Sequence, residues 1–127
     1  MKNAIETKNA PKALGPYSQA IMVGAFLFVS GQVGIDPKTG KLVDSTIQAQ
    51  TSQALTNIEA ILAAAGLTWK DVVKTEIYLK NLSHFQEINT LYGAKFPHPV
   101  KPARQTMEVS RLPLDALIEI SCIAYQS

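Results

Sequence analysis

The sequence has few of the residues that covalent or metal chemistry relies on. It holds one cysteine and two histidines in 127 residues. His84 and His98 fall in helix-cap and proline-rich contexts, with no cysteine or carboxylate partner expected at ligand spacing, which argues against a metal site. The lone Cys122 cannot close an internal disulfide, and it sits in an alternating strand pattern, so we expect a packed thiol rather than a nucleophile. A Gly-rich phosphate loop and a nucleophile elbow are also missing. We therefore expect no cofactor. No apolar run approaches the ~20 residues of a membrane span, and Met1-Lys2-Asn3 opens on polar residues rather than the apolar stretch of an export signal. The expected location is the cytoplasm. With a net charge of +2, the ten lysines from Lys2 to Lys101 are scattered rather than clustered, which argues against a nucleic-acid partner.

What is present is ordinary for a folded chain: 46% hydrophobic and 17% charged residues, enough for one domain over residues 1–127. Asn3 to Glu6 reads as a short strand, and Asn9 to Pro16, with two prolines and a glycine, as an irregular loop. Gln19 to Val23 and Phe26 to Val33 read as a hairpin turning at Gly24-Ala25. Ser30-Gly31-Gln32 is small and polar where a core strand would continue Val/Ile, and a glycine there lets a ligand or a second backbone approach closely. Asp36 to Gly40 is a turn that returns through Leu42.

Ser45 is the expected cap of a long helix, in which Ile47, Thr51, Leu55, Ile58 and Leu62 recur at helical spacing and Gly66 marks the end. Gln48, Gln53, Asn57 and Glu59 form its polar face. Thr68 and Asp71 have capping-box form ahead of a strand through Val73, Thr75, Ile77 and Leu79. Ser83 and Gln86 match a second capping box, opening a helix with Phe85, Ile88, Leu91, Tyr92 and Phe96 inward and Pro97 as its stop.

The last stretch, Pro102 to Tyr125, contains two strand-like runs around Leu112-Pro113-Leu114-Asp115, and we expect a β-hairpin there. In the natural register of such a hairpin Arg104 opposes Ile123 and shares a face with Thr106, Glu108 and Glu119. Arg104 and Glu119 are then about four residues apart along the sheet, too far for a direct pair. The element order implies an α+β fold, a mixed β-sheet covered on one face by two helices. The other face, expected to carry Ser30, Arg104, Thr106 and Glu119 beside apolar residues, suits a subunit interface enclosing a polar pocket.

Taken alone, Arg104 fits two roles equally, a bidentate carboxylate clamp or a surface arginine lying over apolar neighbours. Glu119 interrupts an apolar strand, and a solvated outward position accounts for it best. Tyr17, Ser30, Gly31 and Asn89 each have ordinary structural readings as strand-start aromatic, strand terminus and exposed helix residue.

The ordered motifs GPYSQAI at Gly15, FVSGQVG at Phe28, INTLYGAKFP at Ile88 and PAR, EV, RLP, IEI and CIA after Pro102 cover nearly the whole chain. Together they resemble the RidA (YjgF-type) reactive-intermediate deaminases. The resemblance implies a chorismate-mutase-like homotrimer with sites at its subunit interfaces. The implied reaction is hydrolysis of 2-aminoacrylate and similar 2-imino acids to 2-keto acids and ammonia. It casts Arg104 as the carboxylate anchor and Glu119 as the residue that positions water. Tyr17, Ser30, Gly31, Asn89 and Thr106 become pocket residues. Members often carry cysteine where this chain has Thr106, a position that contributes mainly backbone groups. Two other functions remain open, a 2-keto-acid-binding regulatory protein and an endoribonuclease.

Overall fold

A computed structural model describes every residue, Met1–Ser127. In chain order the elements are β1 (Lys2–Ile5), β2 (Ala20–Val23), β3 (Phe26–Gln32), β4 (Ile35–Asp36), β5 (Lys41–Leu42), α1 (Ile47–Ala64), β6 (Val72–Leu79), α2 (Phe85–Gly93), β7 (Ala103–Glu108) and β8 (Ile118–Tyr125). Six strands form one mixed sheet in the order β1-β2-β3-β8-β6-β7, and β4 and β5 pair separately. Both helices lie on one side, as the alternation of the strands and the helical stripes imply. No helix is long and apolar enough to cross a membrane.

The core lies between the helices and the sheet. Leu55, Ile58, Ile61 and Leu62 of α1 and Ile88 and Tyr92 of α2 meet Leu27, Ile77, Leu79, Ile118 and Ile120 of the strands. Thr46, one residue beyond the expected Ser45, caps α1, its side chain accepting from the Ala49 amide at 3.1 Å. Gly66 follows the helix at φ +77°, the left-handed conformation that glycine adopts at least cost. Asn57 is not on a polar face: it is fully buried and donates to the Val33 and Ile35 carbonyls at 3.3 and 2.9 Å, fastening the β4–β5 hairpin to α1. The expected Ser83 cap is likewise displaced. Asn81 caps a short 3-10 turn by accepting from Ser83 N at 2.9 Å, and α2 follows directly. His84 does have a carboxylate neighbour, Glu87, whose Oε1 lies 3.0 Å from its Nδ1.

The largest departure from expectation is at the C-terminus, where β7 and β8 are not a hairpin. β6 lies between them, parallel to β7 through the α2 crossover and antiparallel to β8, while β8 also pairs with β3. The stretch around Pro113 is a 3-10 turn in a longer connection, with Leu114 and Asp115 both at positive φ. Strand chemistry explains the choice. β8 (IEISCIAY) is apolar enough to be hydrogen-bonded on both edges, whereas β7 (ARQTME) carries the charges that keep an edge strand from pairing further.

This topology also reverses the expected faces. Thr75 of β6 is level with Arg104 on one flank and Cys122 on the other. Arg104 therefore points to the helix side, with Ile118, Ile120 and Cys122, and not to the side of Glu119 and Ile123.

Candidate functional site

The predicted site residues separate into two groups on opposite sides of the sheet. The first is built on β7 and α2. Phe85, Asn89 and Tyr92 stand at i, i+4 and i+7 of α2 and so project from one face of the helix. The Arg104 side chain rises from β7 into this row. Its Nη1 donates to Asn89 Oδ1 at 2.7 Å, and Cζ lies 4.9 Å from the Tyr92 ring centroid and 5.2 Å from that of Phe85. The Tyr92 hydroxyl in turn shares a buried 2.7 Å hydrogen bond with Thr75 Oγ1 of β6.

Half-buried Arg104 has no carboxylate within ion-pair distance in its own chain. Only one of its five N–H donors has a protein acceptor, so the guanidinium is held and largely uncommitted. Thr106 points to the same side two residues further along β7, and its Oγ1 is buried with no hydrogen-bond partner.

The second group lies on the open side. A bulge separates Val29, paired with Cys122, from Gln32, paired with Ile120, and the extra residue falls in the Ser30-Gly31 step. Gly31 leaves room for a carboxyl there: a Cβ at this position would stand 2.7 Å from the carboxyl carbon and an oxygen of Glu119, so a larger residue would displace that side chain. The close approach foreseen for this glycine is made by a side chain of the same sheet. Glu119 is half-buried against it, and burial raises its carboxyl above the ordinary 4.5 with no hydrogen bond or cation opposing the shift.

A second carboxylate on this side, Glu76, is hydrogen-bonded within the sheet. It accepts from Gln105 Nε2 at 3.1 Å and Ser121 Oγ at 3.2 Å. Tyr78, level with Glu119, has its hydroxyl raised first by burial and then by these two carboxylates. Ser30 Oγ donates to the Ser18 carbonyl at 2.6 Å. Tyr17 is 56% exposed and, with Ile21, Phe28 and Ser30, lines a depression of about 440 Å³ on the open side.

The chain thus brings Arg104 and Asn89 together, with Thr106 beside them on β7, while on the open side Tyr17 and Ser30 line one depression and Gly31 meets Glu119. It does not join the two groups. Arg104 and Glu119 are separated by three residues along the strands and two strand spacings across them, roughly 10 Å in each direction, and they face opposite ways. Glu108, expected on the same face as Arg104 and found there, is exposed and accepts from the Leu82 amide at 3.0 Å, a structural charge at the rim. Cys122 is buried and its thiol is pushed up to about 12, as expected of packing and not of a nucleophile. No three His, Cys, Asp or Glu side chains gather as a metal-binding group.

Sequence reasoning read Phe85 and Tyr92 as core and assigned nothing to Thr75. The i, i+4, i+7 spacing was visible, but a stripe of this kind is indistinguishable from core packing until Arg104 is known to rise into it.

The face that carries Glu119 is incomplete in another sense. Val23, Phe26, Phe28, Met107 and Tyr125 are 39–45% exposed on it, a broad apolar surface on the side the helices leave uncovered.

Comparison with known proteins adds to these observations. A family model described as Endoribonuclease L-PSP matches residues 7–126. A RutC family protein of Pyrococcus horikoshii is 55% identical over 126 residues, covering 99% of each chain. The 2-iminobutanoate/2-iminopropanoate deaminase of Salmonella typhimurium is 44% identical over 126 residues, covering 98% of each. Among solved structures, E. coli TdcF with bound serine superposes with a TM-score of 0.93 at 38% identity, covering 98% of this chain and 99% of that one.

Proposed function

This chain belongs to the RidA (YjgF-type) family, and on that footing we propose that it hydrolyses reactive 2-imino acids, including the imine of 2-aminoacrylate, to 2-keto acids and ammonia. The observation that carries the reading is Arg104, a half-buried guanidinium walled by two aromatic rings, fixed by Asn89 and lacking a carboxylate of its own. Such a cation is completed by an acid from outside the chain. Relatives support the class of ligand: one is named a 2-iminobutanoate/2-iminopropanoate deaminase, and another was solved with serine, a small amino acid.

The reaction needs orientation more than a covalent nucleophile, because a protonated imine carbon is already electrophilic. Arg104 holds the substrate carboxylate through its free N–H groups, and the Thr106 backbone lies alongside. Glu119 orients a water toward C2 and takes a proton from it as the C–O bond forms. The proton passes to nitrogen, Glu119 takes the remaining hydroxyl proton as the C=O forms and the C–N bond breaks, and ammonia leaves with a 2-keto acid in its place. A carboxyl whose affinity for protons is raised by burial is suited to this exchange.

Because Arg104 and Glu119 face opposite sides of one sheet, the reading requires them to come from different copies. We propose a homotrimer in which the open sheet faces, with their exposed aromatics, pack together, and the β7 edge of one protomer brings Arg104 toward the Glu119 of the next. The endoribonuclease reading is favoured by the family model's description, but the scattered lysines offer no groove for a polyanion.

The test is to generate 2-iminopropanoate in situ with an amino-acid dehydratase and follow pyruvate and ammonia. Arg104→Ala should lower kcat/KM by roughly 10- to 100-fold or more, the worth of one or two charge-assisted hydrogen bonds. Equal rates for wild type and variant would remove the enzymatic reading. Single-stranded RNA cleavage lost with Glu119→Ala would favour the other.

A further inference from the structure

Arg104 is held from behind by buried groups, and we infer that Thr75 and Tyr92 are positioning residues that set the guanidinium's orientation for a planar carboxylate. This rests on the reading of Arg104 given above and goes beyond it.

The geometry has three parts. Asn89 engages Nη1 alone, so it fixes one corner of the guanidinium and leaves rotation about that contact. The Tyr92 ring, 4.9 Å from Cζ, and the Phe85 ring, 5.2 Å from it, remove that freedom by confining the guanidinium. A ring can do this only if it is itself fixed. Tyr92 is fixed by the 2.7 Å bond from its hydroxyl to Thr75 Oγ1 on β6, with Thr75 1% and Tyr92 8% exposed.

Thr75 also stands level with Arg104 in the sheet, so one rung of β6 and β7 carries both the residue to be oriented and the anchor of its support. Ile77 and Leu79, the next residues on the same side of β6, are aliphatic and fully buried. A threonine there leaves a hydroxyl to be satisfied in the core, and this one is satisfied by Tyr92 and nothing else. The pair is thus a tether running from the middle of the sheet, through an aromatic ring, to a cation at its edge.

Binding of 2-oxobutanoate, a stable 2-keto acid, is measured by calorimetry alongside imine-hydrolysis kinetics in wild type, Tyr92→Phe, Thr75→Val and the double variant. Each single variant keeps shape and volume and removes one end of the tether. Both Kd and KM should rise roughly 3- to 10-fold in each single variant, with no further rise in the double, and kcat should stay within about 2-fold. A general loosening of the core would instead lower kcat and give additive effects. Should Thr75→Val not fold, Phe85→Leu, which removes the other aromatic wall, is expected to raise Kd by a similar factor.

Unchanged Kd in Tyr92→Phe, additive losses, or a loss confined to kcat overturns the positioning role while leaving the binding reading intact. Absence of 2-oxobutanoate binding in the wild type would instead sink both together.

Discussion

The two sides of the six-stranded sheet are made by the same alternating strands, yet they end in opposite conditions. Toward the helices, Ile77, Leu79, Ile118 and Ile120 are 0–1% exposed, and even the polar Thr75, Gln50 and Asn57 are buried with partners. Away from the helices, Phe26, Phe28 and Tyr125 remain 44–45% exposed and cluster, Phe26 meeting Tyr125 edge to face and Phe28 at a tilt. The apolar core of the helix side is closed within one chain, and the apolar surface of the open side is not. The candidate site is divided along the same line, with the fixed cation on the finished side and the unpaired carboxyl on the unfinished one. A carboxyl pressed against a glycine and given no donor fits a surface that is finished only by another copy.

The sharpest way to break this comparison is to separate its halves. Arg104→Ala and Glu119→Ala homo-oligomers are each expected to lose roughly 10- to 100-fold or more of the activity. If sites form between copies, unfolding and co-refolding the two in equal amounts should restore about a quarter of wild-type activity, because one site in four then receives an intact residue from each neighbour. Recovery of no activity, with mixed oligomers verified by mass, would mean that both residues act within one chain. The division of the site would then have no functional meaning.

The second expectation sets one apolar residue of each side against the other. Ile77→Ala, on the helix side, empties a fully buried position and should destabilise the fold by about 2–5 kcal/mol in chemical denaturation. Phe28→Ser removes an aromatic that is 45% exposed on the open side. It should leave the chain folded by circular dichroism and shift its sedimentation toward the monomer. A well-folded oligomer carrying Phe28→Ser would show that something other than this face holds copies together.

The sequence made the helix side legible because burial on one face leaves a periodic trace. The stripe of Ile47, Leu55, Ile58 and Leu62 and the alternation of Thr75, Ile77 and Leu79 are set locally, and both elements formed where expected. Strand order leaves no such trace. The runs now seen as β7 and β8 are separated by a proline turn, and nothing between them announces that β6 will enter from earlier in the chain. The available signal was compositional: Arg104, Gln105 and Glu108 mark an edge strand, while IEISCIA marks a central one. Once that was missed, the facing of Arg104 was inverted as well, since a register change of one residue turns every side chain over. The site residues themselves were named from motifs, which carry identity without geometry. The support behind Arg104 escaped because Thr75 and Tyr92 look like core until their hydroxyls are seen to meet.

The smallest expected effect tests the open side through Glu119 alone. Burial raises this carboxyl above its ordinary 4.5 in the folded chain, so the native state binds its proton more tightly than the unfolded state does. Below the unfolded value both states are protonated, and Glu119 costs the fold nothing. As pH rises through the folded value the native carboxyl must ionise against its poorly solvated surroundings, and stability falls. In the Phe28→Ser background, where the face is left unpartnered and no neighbouring Arg104 meets the carboxyl, Glu119→Gln is neutral at every pH and should therefore melt above its parent at about pH 8, with the gap closing as the pH is lowered to about 4. The carboxyl is only half-buried, so solvent screening keeps the gap to about 1–3 °C. Glu76 supplies the internal contrast, because its carboxylate is already met by Gln105 and Ser121. Glu76→Gln should lower the melting temperature, replacing an acceptor of two hydrogen bonds with a weaker one. If both variants shifted the melting profile in the same direction and over the same pH range, the distinction drawn between the two carboxylates of this face would be lost.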